Sequence, residues 1–167
     1  MSDALRLASV NVNGIRAAVR NGMHDWLGGA GVDVLTLQEV RATAADLAVA
    51  LPDWHIENDE SHTKGRSGVA IASRVAPVAV RRGLGDDTVD AAGRWIEADF
   101  EVGGQTVCVV SAYVHSGEVD TPKQEAKWLF LDAMGERLAA LSTERPLAVV
   151  TGDLNVGHRE LDIRNWK

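Results

Sequence analysis

The opening of the chain restricts its topology more than any other stretch. Residues 5–10 are apolar and loosely alternating, and they end at the turn signal Asn11-Val12-Asn13-Gly14. Over residues 15–27, Ile15, Val19, Met23, Trp26 and Leu27 follow a helical spacing that Asn21-Gly22 interrupts. Gly28-Gly29 and Gly31 stop it, and residues 32–38 form a second strand. Strand, helix and strand in this order require a right-handed crossover between two parallel strands. The chain ends on the same device. Pro122, after Thr121 as N-cap, opens a helix to about Leu141 with Trp128, Leu129, Leu131, Leu138 and Leu141 among its apolar positions. Residues 147–150 then run apolar and β-branched before Thr151-Gly152-Asp153-Leu154-Asn155.

Between the crossovers the spacing shortens. A helix over 44–51 stops at Pro52, strands fall at 54–57, 68–73 and 78–82, and polar loops occupy 61–67 and 83–93. Residues 94–101 and 105–113 flank Gly103-Gly104 and read as a hairpin. The expectation is one α/β unit with a mixed sheet, parallel at both ends and meandering antiparallel between them. At 167 residues the chain is long enough for one domain with a core. No apolar run reaches membrane-spanning length, and Met1-Ser2-Asp3-Ala4 lacks the basic start of a signal peptide. The single cysteine, Cys108, sits in an apolar strand and reads as a buried small hydrophobe in a cytoplasmic protein.

Polar residues collect at four strand ends: Asn11, Glu39, Tyr113, and Asp153 with Asn155. Singly, each has an ordinary reading as a solvated terminus, a turn or half-buried packing. Jointly they occupy the carboxyl edge, where parallel sheets gather their ligand sites. Two carboxylates, two amides and a phenol suit one Mg²⁺ or Mn²⁺ and a phosphate. The net charge of -7 argues against nonspecific coating of nucleic acid, but field is local. Lys64, Arg66, Arg81, Arg82, Arg94, Lys123 and Lys127 are the cations available for a patch, or else scattered solvated charges.

An ordered set of motifs sharpens this reading. Ser9-Val10-Asn11-Val12-Asn13-Gly14-Ile15-Arg16, Leu37-Gln38-Glu39-Val40-Arg41, Gly65-Arg66-Ser67-Gly68-Val69-Ala70, Gly93-Arg94-Trp95-Ile96, Ala112-Tyr113-Val114 and Gly152-Asp153-Leu154-Asn155 follow one another. Together they resemble the exodeoxyribonuclease III / abasic-site endonuclease family of the endonuclease-exonuclease-phosphatase superfamily, over essentially the whole chain. The 113–127 segment and the tail from His158 to Lys167 are most similar to the bacterial branch.

The resemblance implies a DNase I-like fold, a four-layer α/β sandwich of mixed sheets. Residues 1–167 would form a single incomplete domain, its N-terminal part, with the C-terminal half missing. The chain would supply about one sheet-and-helix half and leave an inner sheet face without its partner. Missing too would be a downstream catalytic Asp and a closing Ser-Asp-His motif. Glu39, helped by Asn11, Asp153 and Asn155, would bind Mg²⁺, with Mn²⁺ as a substitute. Asp153 would orient and deprotonate the attacking water. Asn155 would hydrogen-bond the scissile phosphate, and Tyr113 would position it. Arg66, Arg94 and Lys123 would touch DNA. The implied protein is a monomeric, cytoplasmic repair nuclease. It would remove nucleotides from 3′ ends of duplex DNA and cut 5′ to abasic sites. Two alternatives stand beside it: the same chemistry on a non-DNA phosphodiester, and a catalytically inert fragment. Two departures from the family pattern are local, His115 in place of a Pro and Val10 in place of an aromatic.

Overall fold

The computed structural model describes residues 4–163. The first three residues of the expected leader-free N-terminus and the last four of the tail lie outside the described residues. β1 (Leu7–Asn11) runs parallel to β2 (Val34–Gln38), with Asn11 beside Gln38. The crossover carries two helices, α1 (Ile15–Arg20) and α2 (Met23–Ala30). They part at the Asn21-Gly22 interruption, where Gly22 takes a left-handed conformation. α3 (Ala44–Ala50) starts at a capping box in which Thr43 and Asp46 exchange side-chain and backbone hydrogen bonds. β3 (His55–Asp59) and β4 (Val69–Ser73) then add antiparallel, giving a first sheet of order β1-β2-β4-β3.

A second sheet follows. β5 (Ala79–Arg82), β6 (Trp95–Val102) and β7 (Gln105–Tyr113) pair antiparallel, and β8 (Ala148–Asp153) lies parallel to β7 after the long helix α5 (Pro122–Glu144). The loop expected over 83–93 contains one helical turn, α4 (Asp87–Asp90), capped by the Asp86 carboxylate. The order is β5-β6-β7-β8.

The mixed ladder is therefore two ladders, and the expectation of a single half-sandwich with a bare inner face is corrected. The meander breaks between β4 and β5. Ser73 Oγ donates to the Val75 carbonyl, and Pro77 has no N–H to continue a ladder. Two sheets face each other as a result. With a period of two, Val34, Val69 and Ile71 of the first sheet meet Ile96, Ala98, Phe100 and Val109 of the second. The alternate residues Leu35, Leu37, Ala70 and Ala72 pack beneath α1, α2 and α3. The chain thus has the α/β DNase I-like sandwich, with helices on the outer faces of two mixed sheets.

Polar pins interrupt the inter-sheet core. The Thr36 and Thr151 hydroxyls share a 2.7 Å hydrogen bond, and Gln38 Nε2 donates to Ser111 Oγ at 3.0 Å. Ser111 Oγ in turn donates to the Leu37 carbonyl at 3.0 Å. Apolar contacts are non-directional, whereas these bonds have one geometry, so they fix how the sheets are set against each other.

The outer face of the second sheet is partly ionic. Phe130, Met134 and Leu141 of α5 cover Trp95, Cys108 and Val110. Beside them the buried Glu97 and Asp99 are held by Arg81, Arg137 and Arg145. Trp128 and Leu129, expected among the apolar positions of α5, are each 58% exposed and lie outside this buried cluster. Cys108 is fully buried as expected, and burial together with Asp99 pushes its thiol up to about 12. It is inert at neutral pH. Among the described residues no helix is long and apolar enough to cross a membrane.

Candidate active site

Parallel pairing at each crossover aims the carboxyl ends of β1 and β2, and of β7 and β8, at one rim of the sandwich. Asn11 closes β1, Glu39 follows β2, Tyr113 closes β7 and Asp153 closes β8. Asn11 Nδ2 donates to Glu39 Oε1 at 3.0 Å and to Asp153 Oδ2 at 2.8 Å. One amide nitrogen thus bridges carboxylates delivered by different sheets. Its oxygen, Asn11 Oδ1, accepts the Asn13 N–H at 3.0 Å and keeps the side chain oriented.

Backbone strain concentrates at this rim. Six non-glycine residues among those described have positive φ, and five of them, Asn13, Glu39, Arg41, Ser67 and Asn155, lie in the loops around the site. Each costs about 1–3 kcal/mol and persists only where neighbours fix it. Here three loops lace together. Gly14 N–H donates to the Glu39 carbonyl at 2.7 Å, Val40 N–H to Gly68 at 3.0 Å, and Arg41 N–H to Ser67 at 2.9 Å.

Charge is set by close partners. Burial pushes the Glu39 carboxyl upward, but hydrogen bonds from Asn11, Tyr113 and Arg41 outweigh it and hold the group below the ordinary glutamate range. Glu39 is ionised at neutral pH. Burial and the Glu39 carboxylate push the Tyr113 phenol up, so it keeps its proton and donates to Glu39. The Arg94 guanidinium stacks 5.1 Å from the centre of the Tyr113 ring.

Glu39 and Tyr113 form one wall of a cleft of about 550 Å³, and Arg41, Arg66, Arg94 and Lys123 line the rest. Three other cations of the expected patch are engaged elsewhere. Arg81 is in the ionic cluster under α5, Arg82 pairs with Glu57, and Lys127 donates to the Asn155 carbonyl at 2.7 Å. Arg41 was not singled out from the sequence, although it forms an ion pair with Glu39. Its position two residues after Glu39 was the available signal.

The structure brings Asn11, Glu39, Tyr113 and Asp153 together, and it ties Asn155 into the adjoining turn. Its backbone N–H donates to Asp153 Oδ1 at 3.1 Å, and its side-chain Nδ2 donates to the Val114 carbonyl at 2.9 Å. These bonds fasten the turn after β8 to the end of β7. His115 lines the cleft half-buried, its Nε2 3.1 Å from the Lys123 carbonyl oxygen.

Gly93 positions Arg94. At φ 57° a Cβ there would lie 2.6 Å from the Asp59 carbonyl oxygen and from the Ser61 nitrogen, so only glycine lets β6 start so close to the end of β3. Asp59 sits at this junction with Oδ2 buried and unpartnered. Burial, aided by Asp90, pushes its carboxyl up to about 6, against the pull of the Trp95 and Arg94 N–H groups. A raised folded-state value favours the protonated acid. Asp59 therefore supports the fold below about pH 4 and ceases to as pH rises through 6. Asp59→Asn is expected to gain thermal stability over the parent above pH 6 and to lose that advantage below pH 4. Melting temperatures measured across pH check this, and parallel curves would show a solvated carboxylate.

Among the described residues no group of three or more His, Cys, Asp or Glu side chains is placed to hold a metal ion. The donor set that is present comprises the Glu39 and Asp153 carboxylates with the Asn11 amide between them.

Comparison with known proteins follows the same pattern. The sequence pattern described as the Endonuclease/Exonuclease/phosphatase family matches residues 8–167. The chain is 29% identical to an exodeoxyribonuclease of Bacillus subtilis (strain 168) over 98% of its own length and 63% of that protein. It is 31% identical to the DNA repair nuclease APEX1 of Danio rerio, over 98% of the chain and 53% of that protein. Among solved structures, the 3′-5′ exonuclease NExo from Neisseria meningitidis superposes with a TM-score of 0.80 at 28% identity, covering 96% of this chain and 61% of that one. An AP endonuclease from Archaeoglobus fulgidus gives a TM-score of 0.80 at 29% identity, with the same coverage of 96% and 61%. The chain spans between half and two thirds of the length of these relatives.

Proposed function

The chain belongs to the endonuclease/exonuclease/phosphatase family, with DNA-repair nucleases among its relatives, and from that premise we propose that its site hydrolyses DNA phosphodiesters with Mg²⁺. The reading is of a 3′-5′ exonuclease on duplex DNA and an endonuclease cutting 5′ to abasic sites, monomeric and cytoplasmic. The observation that carries it is the single Asn11 nitrogen joining Glu39 to Asp153 across the two sheets.

Those two carboxylates converge on the one electropositive NH₂ group between them. A hard divalent cation seeks such a place, and Mg²⁺ needs only one or two carboxylates because it keeps several waters. Glu39 and Asp153 would hold it through carboxylate oxygens, and Asn11 through its amide oxygen rather than its NH₂ group; Mn²⁺ fits the same oxygens. When bound, the ion would neutralise charge on the phosphate oxygens. The chain's own residues supply the rest. Arg41, Arg66, Arg94 and Lys123 draw the DNA backbone into the cleft and offset its charge. Tyr113, still protonated, offers its hydroxyl to a phosphate oxygen while Arg94 supports its ring. Asp153 receives the proton of the attacking water on a carboxylate oxygen. Asn155, by fastening the turn, fixes the angle of that carboxylate.

The test uses the 167-residue chain, a duplex with one abasic site, and either Mg²⁺ or a chelator. The expected result is Mg²⁺-dependent nicking 5′ to the lesion that falls about 100- to 10,000-fold in Asp153→Ala, the range for removing a general base. No nicking by the folded parent chain, or equal nicking by Asp153→Ala, overturns the proposal.

A further inference from the structure

Both oxygens of Glu39, a carboxylate proposed above to hold Mg²⁺, are already engaged. Asn11 Nδ2 donates to Oε1 at 3.0 Å, and the Arg41 guanidinium pairs with Oε2. The protonated Tyr113 hydroxyl donates to the same carboxyl group. The Glu39 side chain is only 14% exposed, so a cation reaches it by replacing a donor rather than by joining from open solvent.

The three donors differ in how firmly they are fixed. Asn11 has two further bonds, to Asp153 Oδ2 at 2.8 Å and from the Asn13 N–H at 3.0 Å. Tyr113 is half-buried, with Arg94 stacked on its ring. The Arg41 side chain is 44% exposed, and among the described residues Glu39 is the one partner of its guanidinium. Replacing Arg41 therefore breaks the fewest contacts. Its backbone is held throughout. Glu39 and Arg41 both sit at φ 51°, fixed where Val40 N–H donates to the Gly68 carbonyl and Arg41 N–H to that of Ser67. A side chain anchored in this way can swing without leaving the site. Arg41 also lines the 550 Å³ cleft with Arg66 and Lys123, so its freed guanidinium stays on the path of a phosphate.

Electrostatics favours exchange over coexistence. A guanidinium and a divalent cation on one carboxylate repel each other at close range, whereas a phosphate offers the guanidinium a bidentate partner. We propose that Arg41 is a placeholder cation for Glu39. It neutralises the carboxylate in the metal-free protein, leaves when Mg²⁺ binds, and turns to a DNA phosphate in the cleft. This rests on the Mg²⁺ nuclease reading above and adds to it a coupling between its two ligands. A phosphate that takes up Arg41 frees Glu39, so DNA and Mg²⁺ each tighten the binding of the other.

The test reads binding without catalysis. The 167-residue chain is titrated with MgCl₂ by calorimetry, and by NMR with ¹⁵N-labelled arginine. The Arg41 Nε resonance is assigned from its absence in Arg41→Met. Saturating Mg²⁺ is expected to move that resonance toward the position of a solvated guanidinium. Arg41→Met is expected to bind Mg²⁺ about fivefold tighter than the parent, the weight of one part-exposed ion pair. Arg41→Lys, which keeps the charge, should stay near the parent. On an intact duplex with blocked 3′ ends, Arg41→Met should lower the salt slope of binding by about one at fixed Mg²⁺ and leave it unchanged in chelator. Equal or weaker Mg²⁺ binding by Arg41→Met overturns the proposal, because Arg41 would then support the metal site instead of filling it. So does a change in salt slope that is the same with and without Mg²⁺. Mg²⁺ binding by neither chain removes the metal reading and the placeholder with it, whereas Mg²⁺ binding that leaves the Arg41 resonance in place removes the placeholder alone.

Discussion

Gly152→Ala is expected to lower the melting temperature by about 10 °C and to abolish any activity of the site. Gly152 pairs with Ala112 at the end of β8, at φ 149°, where an L side chain is strained. A Cβ there would overlap the Ala112 carbonyl oxygen and lie 2.8 Å from its carbonyl carbon. No rotamer relieves a collision with backbone, so the two strands must part. Strain and overpacking together cost about 3 kcal/mol or more, and each kcal/mol lowers the melting point of a domain this size by roughly 2–4 °C. Asp153 is the next residue. Parting the strands withdraws its carboxylate from Asn11 and loosens the Asn155 turn. Circular dichroism melting and the nicking assay read the two effects, and a parent-like variant in both would show that the strands accommodate a methyl group.

Glu97→Ala should be as damaging to the fold while leaving the cleft residues untouched. Glu97 is 1% exposed, and its two oxygens accept four hydrogen bonds, from Arg81 Nε, Arg137 Nε and Nη2, and Trp95 Nε1. Removing it leaves two guanidiniums facing a cavity. Breaking a buried ion pair on one side costs about 3–5 kcal/mol. Acid should reproduce part of this. Burial pushes the Glu97 carboxyl upward, but Arg137, Arg81 and Trp95 outweigh it and hold it at about 2, against 4.5 for a free glutamate. A depressed folded-state value gives stability that is present above pH 4.5 and lost as pH falls toward 2. The gap between parent and Glu97→Gln should therefore narrow through that window. A constant gap would mean the pair is solvated.

Much of the fold was legible because strands and helices announce themselves by period. The two parallel crossovers, the break at Asn21-Gly22 and the hairpin at Gly103-Gly104 all follow from local spacing and turn chemistry. Sheet membership did not. Val34 and Ile71 are as apolar as Leu35 and Leu37, so nothing in the sequence says which face meets another sheet and which meets a helix. Thr36, Gln38 and Ser111 were hidden for a related reason: in a strand they resemble solvent-facing positions, yet they lock two buried faces together. At the site, chain order and strand ends were enough to bring out Asn11, Glu39, Tyr113 and Asp153. The orientation of an amide was not readable, and Asn155 also fastens its turn through bonds to Val114 and Asp153.

The division of the chain at the Pro77 connector has a logical consequence. Everything before it builds one sheet and carries Asn11 and Glu39; everything after it builds the other and carries Tyr113 and Asp153. Chemistry that needs both carboxylates is then an AND operation over two contiguous stretches of polypeptide. Neither stretch alone holds a half that could act. A nascent chain emerging from its N-terminus has no assembled site until β8 docks, and a break that separates the sheets switches the site off without touching any of its residues.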